Sequence, residues 1–218
     1  MPLKIDLHVH TTYSKDSFIT PDMVVRIARS VDLDGVAITD HDSIKAHKKL
    51  GQTPNLVVIP GVEVSSQHGH ILALGVTEPV EKGLTALETV ERIRDLGGIV
   101  VIPHPNRLFK RNISRSIFRQ IKPDAVETVN ASTLLPSTFK KTQTLAQEEN
   151  LPQTGGSDAH IPEMVGRAYT LINVDGTDVE SILNAIKRGK TSPTGRRMSI
   201  KDLIRRLELQ AERKLGLI

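Results

Sequence analysis

The sequence predicts an α/β fold in which seven or so strands form a closed or partly closed barrel. Apolar β-type runs alternate with helical patterns along almost the whole chain, which is typical of β/α units with parallel strands. The connections are short, and the chain has neither a Gly-rich dinucleotide-binding fingerprint nor a phosphate-binding loop. A barrel is therefore favoured over an open, doubly wound sheet.

Seven segments have the composition of strands. They are LKIDLHV (3–9), GVAIT (35–39), NLVVIPGVEV (55–64), HILALGV (70–76), GIVVIP (98–103), DAVETVN (124–130) and AYTLINV (168–174). One direct strand-to-strand step runs from Glu63 to His70, where SSQHG is predicted to turn a β-hairpin.

The helices between these strands are predicted from their boundary residues. TPDMVVRIARS begins with Thr20 as its N-cap and Pro21 at the first helical position. Three further helices are predicted in TALETVERIRDLGG (85–98), STFKKTQTLAQEEN (137–150) and TDVESILNAIKRG (177–189). KTSPTGRR (190–197) is interpreted as a loop, and SIKDLIRRLELQAERKL (199–215) as a final helix.

The length of 218 residues suggests one domain with an appendage, which we divide into a barrel (1–197) and a basic C-terminal helix (198–218). The chain has no cysteine, so disulfides and thiolate chemistry are excluded and any metal must be held by nitrogen and oxygen. No signal peptide or membrane span is recognisable, and a cytoplasmic protein is expected.

The positive charge is concentrated in the C-terminal tail. Residues 187–214 contain ten Lys or Arg and three Asp or Glu, whereas the net charge of the whole chain is +4. The apolar residues of the predicted final helix form one stripe, namely Ile200, Leu203, Ile204, Leu207, Ala211 and Leu215. The favoured interpretation is that this stripe docks on the barrel or on a second subunit; contact with a membrane surface or with nucleic acid is the alternative.

Two histidines alternate with apolar residues in the first strand. Alternation places His8 and His10 on one face, about 7 Å apart along the strand, and Asp16 follows on a polar loop. These residues can bind a cation, but they can equally be ordinary polar residues at a strand end.

Other histidines and acids also follow predicted strands. His41, Glu63, His70, His104, Asp158 and His160 lie at or next to strand ends, whereas His47 and His68 do not fit this scheme. A lone histidine after a strand is more often a cap or a core residue than a ligand. Strand ends converge on one face of a β/α barrel, however, so a multinuclear metal centre explains all these positions together.

The residue types restrict the metal. Imidazole and carboxylate suit zinc, manganese or iron, and the absence of thiolate excludes the usual structural zinc site. Nine candidate ligands are too many for one ion, so two or three divalent ions are expected.

The segments DLHVHTTYS, ITDHDS, PGVEVS, HILALG, IPHP and GSDAH resemble, in order, the signature segments of the PHP (polymerase and histidinol phosphatase) family. The resemblance implies a distorted seven-stranded, TIM-like barrel with up to three divalent metals. By position, His8, His10, Glu63 and Asp158 would hold the first metal. Glu63, His70 and His104 would hold the second, and Asp16, His41 and His160 the third. His70 is preferred to His68 as a ligand, and Asp16 slightly favours manganese.

The expected chemistry is attack on phosphorus by a hydroxide that bridges two metals, with Glu63, Asp158 and His160 as the catalytic residues. His160 or His68 would assist the leaving group, and Arg167, Arg107 and Asn130 would bind the substrate. The favoured substrate is a small phosphomonoester: a nucleotide, a sugar phosphate or an amino-alcohol phosphate. An exonuclease-like phosphodiesterase on nucleic acid and a non-catalytic scaffold subunit are the alternatives.

Overall fold

One sheet of nine strands curves into a nearly closed barrel in the computed structural model, which describes residues 1–50, 53–105 and 113–217. The strands are β1 (Leu3–Val9), β2 (Gly35–Ile38), β3 (Val57–Ser66), β4 (Gly69–Leu74), β5 (Ile99–Ile102), β6 (Ala125–Asn130), β7 (Gln153–Gly156), β8 (Ala168–Ile172) and β9 (Thr191–Gly195). The predicted barrel class is thereby confirmed, with two more strands than expected.

Most connections of the sheet follow the predicted β/α scheme, but not all neighbours are parallel. The order is β7-β6-β5-β4-β3-β2-β1-β8-β9. β1, β2 and β3 are parallel, as are β5, β6 and β7, whereas β4 runs antiparallel to both its neighbours and β8 runs antiparallel to β1 and β9. A bridge between Val9 and Ala159, just beyond β7, brings the far side of the sheet back to β1. The predicted β3–β4 hairpin is present.

Seven α-helices accompany the strands in the described ranges. They are α1 (Pro21–Ser30), α2 (Lys45–Leu50), α3 (Ala86–Asp95), α4 (Arg115–Ile121), α5 (Pro136–Glu148), α6 (Val179–Lys187) and α7 (Ile200–Lys214). The Thr20 hydroxyl accepts a hydrogen bond from the amide of Met23, which is the predicted N-cap of α1. Thr85 and Glu88 form a capping box at the start of α3.

The strands β7 and β9 were not expected, and the interpretation of residues 190–197 as a loop was wrong. β7 has the sequence QTGG, which offers almost no apolar side chain to a pattern search. Its glycines are needed for close packing, because a Cβ atom on Gly156 would lie 2.5 Å from the Cβ of His8. β9 contains Pro193 and pairs only with β8 at the edge of the sheet, where a proline is tolerated.

The barrel interior is apolar below the polar end that carries the histidines. One buried cluster draws on seven strands, with Ile5, Leu7, Ile59, Leu72 and Val101 among its members, and α6 packs against it through Ile182 and Ile186. Two further clusters lie outside the sheet, beneath α1 and beneath α3 and α4. The interior residues therefore form a rigid floor for the polar end.

The register of β1 against β2 shifts between Asp6 and Val9. Ile5 and Leu7 belong to the interior cluster, whereas Val9 packs outside with α1. A bulge of this kind changes the direction of the side chains that follow it. Here it lets two consecutive residues, Leu7 and His8, both point into the barrel.

The C-terminal helix α7 packs on the barrel, but not through the predicted stripe. Ile200, Ile204 and Leu207 are exposed, and the buried residues of α7 are Asp202 and Leu209. The expectation that the stripe docks on the barrel was wrong for these positions, because hydrogen bonds and ion pairs fix another face. Oligomerisation through α7 and the division at residue 197 stay predictions. Among the described helices, none is long and apolar enough to cross a membrane.

Candidate metal centre

Nine polar side chains converge at the end of the barrel where the parallel strands terminate. Each lies within 3.9 Å of another member through a nitrogen–oxygen pair. They are His8, His10, Asp16, His41, Glu63, His70, His104, Asp158 and His160, the same nine residues that the sequence singled out. Six of them are buried, and Asp16, His41 and His70 form the more open side.

The fold explains how a residue at the beginning of a strand reaches this end. His70 is the second residue of β4, which runs antiparallel to β3 and pairs His70 with Ser65. His41, just after β2, forms a bridge with Glu63. Both therefore lie beside the carboxyl end of β3.

The carboxylate of Glu63 is the centre of the cluster. It lies within 3.5 Å of five imidazoles. Oε2 is 3.5 Å from His8 Nε2, 3.3 Å from His10 Nε2 and 3.0 Å from His41 Nδ1; Oε1 is 2.8 Å from His70 Nδ1 and 3.1 Å from His104 Nε2. The two oxygens thus face two different sets of ligands, which is the arrangement of a bridging carboxylate.

The imidazoles of His8 and His10 point the same nitrogen at the centre. Their Nε2 atoms are 3.0 Å apart. The other ring nitrogen of each is occupied: His8 Nδ1 lies 3.0 Å from Glu127 Oε1, and His10 Nδ1 lies 3.1 Å from Ser14 Oγ. A partner on Nδ1 fixes the ring and leaves Nε2 available to a metal.

Asp158 and Asp16 border the cluster on opposite sides of His160. Asp158 Oδ1 lies 3.4 Å from both His10 Nε2 and His160 Nδ1. Asp16 Oδ2 lies 3.0 Å from His160 Nε2, and Asp16 Oδ1 lies 3.9 Å from His41 Nε2. Asp16 is 41% exposed and marks the side that is open to solvent.

Two of the nine residues have an uncommon backbone. His104 and Asp158 adopt φ angles of 32° and 50°, in the left-handed region. Such conformations cost free energy and concentrate at functional sites, because the surrounding structure must hold them in place.

The electrostatics of the cluster keep the carboxylate of Glu63 ionised. Burial would raise the pKa of Glu63, but the neighbouring histidines, His70 and His8 foremost, lower it well below its usual value. Burial disfavours the charged form of His10, yet Asp158 and Glu63 outweigh it and raise its pKa to about 9. Burial lowers the pKa of His41 to about 4 and also lowers the pKa of His160, so both rings favour the neutral form that binds metals.

The donor atoms fit divalent cations. Glu63 Oε2 and His160 Nε2 are buried and have no partner with hydrogen-bond geometry among the described residues. Four overlapping groups of three could each hold an ion: His8–His10–Glu63, His8–His104–Asp158, His41–Glu63–His70 and His10–His41–His160. Because the groups share members, they form one continuous centre. They do not reproduce the three ligand sets that the family resemblance implied, and those sets stay a prediction.

The three predicted substrate-binding residues lie in different surroundings. Arg167 is paired with residues outside the cluster: it donates to Asp202 Oδ1 at 2.8 Å and to the carbonyl of Glu163. Asn130 lies beneath the cluster, where its Nδ2 donates to Glu127 Oε2 at 2.8 Å. Arg107 lies outside the described residues.

The two histidines that did not fit the strand-end scheme have structural partners. His68 Nδ1 accepts a hydrogen bond from the amide of Ala86, at the start of α3. His47 Nε2 lies 3.1 Å from both the carbonyl of Ile38 and the amide of Gly61. His70, not His68, is the histidine that contacts Glu63.

Three buried acids that sequence reasoning missed hold the cluster in place. Glu127 contacts His8 and accepts the amide of His104. Asp40 accepts three hydrogen bonds from the loop that carries Asp16. Asp6 accepts two from the segment around Asp158. The sequence carries a signal for these residues, because each is an acid within, or at the end of, an otherwise apolar strand. An acid at such a position is rarely buried without hydrogen-bond partners.

We expect Glu127→Gln to weaken binding of Mn²⁺ to the protein about 10- to 100-fold. The glutamine oxygen can still accept from His104 and Asn130, which turns the amide NH₂ towards His8 Nδ1. His8 would then carry its proton on Nε2, and this nitrogen would have no lone pair to offer a metal. Calorimetric titration of the metal-free protein measures the change, with the exposed Glu163→Gln as the matched control. Equal affinities in Glu127→Gln and wild type would contradict this role of Glu127.

Comparison with known families gives two matches. The model described as the PHP domain matches residues 6–120, more than half of the chain, and a model described as PHP-associated matches residues 138–191. An uncharacterised protein of Methanocaldococcus jannaschii is 34% identical over 142 residues, which cover 59% of this chain and 82% of that protein.

Solved structures share the fold at low identity. A two-domain protein of Bacteroides vulgatus containing a predicted PHP-like metal-dependent phosphoesterase has a TM-score of 0.72 and 19% identity, covering 94% of this chain and 69% of that one. The lesion-specific endonuclease EndoQ of Pyrococcus furiosus has a TM-score of 0.71 and 20% identity, covering 88% and 58% of the two chains. At this identity the likeness concerns the fold.

Proposed function

This chain belongs to the PHP family, and from that premise we propose that it is a metal-dependent phosphoesterase whose substrate is a small phosphomonoester. The substrate classes that we favour are nucleotides, sugar phosphates and amino-alcohol phosphates. The cofactors would be two or three divalent ions of manganese, zinc or iron.

The observation that carries this proposal is the environment of Glu63. A fully buried carboxylate faces five imidazoles, and its Oε2 has no hydrogen-bond partner among the described residues. A polar atom buried in this way is costly unless something satisfies it. A metal ion between Glu63 and the imidazoles would satisfy both sides.

We assign the candidate ligands to the ions in the following way. Glu63 would bridge two ions. The other ligands of the first ion would be His8, His10 and Asp158, and those of the second would be His70 and His104. Asp16, His41 and His160 would hold a third. When bound, divalent ions lower the pKa of a water molecule and neutralise charge that develops on the phosphoryl group.

The protein's own groups keep these ligands in position. Glu127 fixes the ring of His8, and Asn130 donates to Glu127 and also lies 3.4 Å from Asp158 Oδ2. The lowered pKa of His160 supports a role as a neutral ligand more than as a proton donor. His68, the other candidate donor, is held at the start of α3.

The positive charge of the C-terminal tail is the feature that favours a nucleic-acid substrate, and one of its arginines is engaged within the molecule. Arg213 donates to the carbonyl of Ser17 and lies 3.8 Å above the ring of Phe18. A non-catalytic scaffold is disfavoured because all nine candidate ligands are present and meet at one place. We therefore treat both alternatives as outcomes of the test.

The test is hydrolysis of an aryl phosphomonoester and of the matching diester with added Mn²⁺, Zn²⁺ or Mg²⁺. His8→Ala is compared with wild type, with His47→Asn as a histidine control outside the centre, and bound metal is measured in each sample. We expect metal-dependent cleavage of the monoester in wild type and His47→Asn, and none in His8→Ala. Cleavage of the diester alone would favour a phosphodiesterase, and neither turnover nor bound metal after reconstitution would favour a scaffold.

A further inference from the structure

Helix α7 presents one face to the candidate metal centre. Asp202, Arg206, Leu209 and Arg213 recur at helical spacing, so they share this face. Asp202 and Leu209 are buried, whereas Ile204 and Leu207 on the other side are exposed. The helix therefore has a defined orientation, although it comes after the last strand of the barrel.

Two anchors fix that orientation. At the first turn, the 2.8 Å ion pair with Arg167 holds Asp202, which also caps the helix with Ser199. At the last turn, Arg213 donates to the carbonyls of Lys15 and Ser17, the two neighbours of Asp16 in the chain. The helix and the loop that carries Asp16 thus hold each other in place.

Arg206 lies between these anchors and points at the centre. Its Nη2 is 3.5 Å from Asp16 Oδ2, the oxygen that also lies 3.0 Å from His160 Nε2. Within the described part of the chain this is the one ion pair of Arg206, and its side chain is 15% exposed. A guanidinium has five N–H donors, so the pair with Asp16 uses only part of its hydrogen-bonding capacity.

We propose that Arg206 binds a phosphoryl oxygen of the substrate, so that α7 forms one wall of the active site. This inference rests on the proposed function. A phosphomonoester needs a fixed cation besides the metals, and arginine binds phosphate through two parallel hydrogen bonds. Arg167, the cation predicted for this purpose, is occupied by Asp202.

The position of Arg206 also argues for an anion. If Asp16 binds a metal, the metal neutralises its carboxylate, and a guanidinium beside that ion is repelled unless a negative group lies between them. A phosphoryl group placed between the third metal and Arg206 meets this requirement. Asp16, His41 and His160 would hold the metal on one side of this phosphoryl group, and Arg206 of α7 would bind the phosphoryl group from the other side.

The experiment measures binding of inorganic phosphate to Mn²⁺-loaded protein by calorimetry, together with bound metal and thermal stability. The variants are Arg206→Gln and Arg206→Lys. The matched control is Arg205→Gln, since Arg205 is 47% exposed and pairs only with Glu208 among the described residues. We expect phosphate to bind at least tenfold more weakly to Arg206→Gln, Arg206→Lys to recover part of the loss, and Arg205→Gln to behave as wild type.

The amount of bound metal distinguishes a role of Arg206 in phosphate binding from a role in positioning Asp16. We expect all four proteins to carry the same amount of manganese. If Arg206→Gln loses metal, Arg206 acts by positioning Asp16, and the phosphate role is overturned. Unchanged phosphate affinity in Arg206→Gln, or no phosphate binding by the wild type, also overturns it.

Turnover separates this inference from the proposed function. If phosphate binding depends on Arg206 but no phosphoester is hydrolysed, the proposed function fails and the anion site stands. If the monoester is hydrolysed equally well by Arg206→Gln and wild type, the function stands and the inference fails.

Discussion

Glu63→Gln is expected to lower phosphoesterase kcat/KM roughly a thousandfold or more, which corresponds to about 4 kcal/mol of transition-state stabilisation. The substitution keeps the shape of the side chain but removes its charge and one of its two acceptor oxygens. Glu63 faces His8, His10 and His41 with one oxygen and His70 and His104 with the other, so the loss reaches both sides of the centre.

The same variant should bind fewer metal ions per chain. A bridging carboxylate contributes to two ions at once, and an amide has only one oxygen to offer them. Elemental analysis after reconstitution and gel filtration measures the stoichiometry. Glu163→Gln, an exposed change near Asp158 and His160, should match wild type in both activity and metal content. A Glu63→Gln protein with full metal content and full activity would refute the bridging role.

Asp6→Ala is expected to destabilise the metal-free protein by about 2–4 kcal/mol, because it leaves two buried amides and one partly buried amide without an acceptor. Asp6 is fully buried, and its carboxylate accepts from the amides of His8, Ser157 and Gly166. Burial raises the pKa of Asp6 to about 6, against the lowering effect of these hydrogen bonds. The cost of burying this charge offsets part of their contribution, so the expected loss is smaller than three unsatisfied amides alone would give.

Urea unfolding of metal-free protein measures this loss of stability. Asp34→Ala is the matched control: Asp34 accepts one amide, that of Lys4, at an exposed position, and its loss should cost less than about 1 kcal/mol. Equal costs for the two variants would show that Asp6 is not a structural centre of the fold. Because Asp6 joins β1 to the segment that carries Asp158 and His160, we also expect Asp6→Ala to weaken metal binding.

The candidate ligands could be located from the sequence because each is marked by a local pattern. His8 and His10 alternate within an apolar strand, His41 and His104 follow directly after predicted strands, and Asp158 belongs to the GSDAH segment that resembles the PHP family. Strand ends of a barrel meet by construction, so a local pattern was enough to bring these residues together. His70 was the exception in direction, and the predicted hairpin placed it at the same end.

The supporting residues could not be located in this way. Asp6 and Ser157 are 151 positions apart, and Arg213 and Lys15 are 198 positions apart, so no periodicity in the chain links them. The apolar stripe of α7 predicted a docking face, yet Asp202, Arg206 and Arg213 decided which side packs. Ion pairs and backbone hydrogen bonds are directional, and here they outweigh a stripe of moderate hydrophobicity.

The sequence alone therefore determined the barrel class, the family and the nine side chains of the candidate centre, because these follow from short-range patterns and strand ends. Only the tertiary structure decided the strands β7 and β9, the acids beneath the histidines and the place of Arg206. β7 has the sequence QTGG and depends on its neighbours, since its close approach to His8 requires glycine at 156. Contacts between distant parts of a chain depend on how its elements pack in three dimensions.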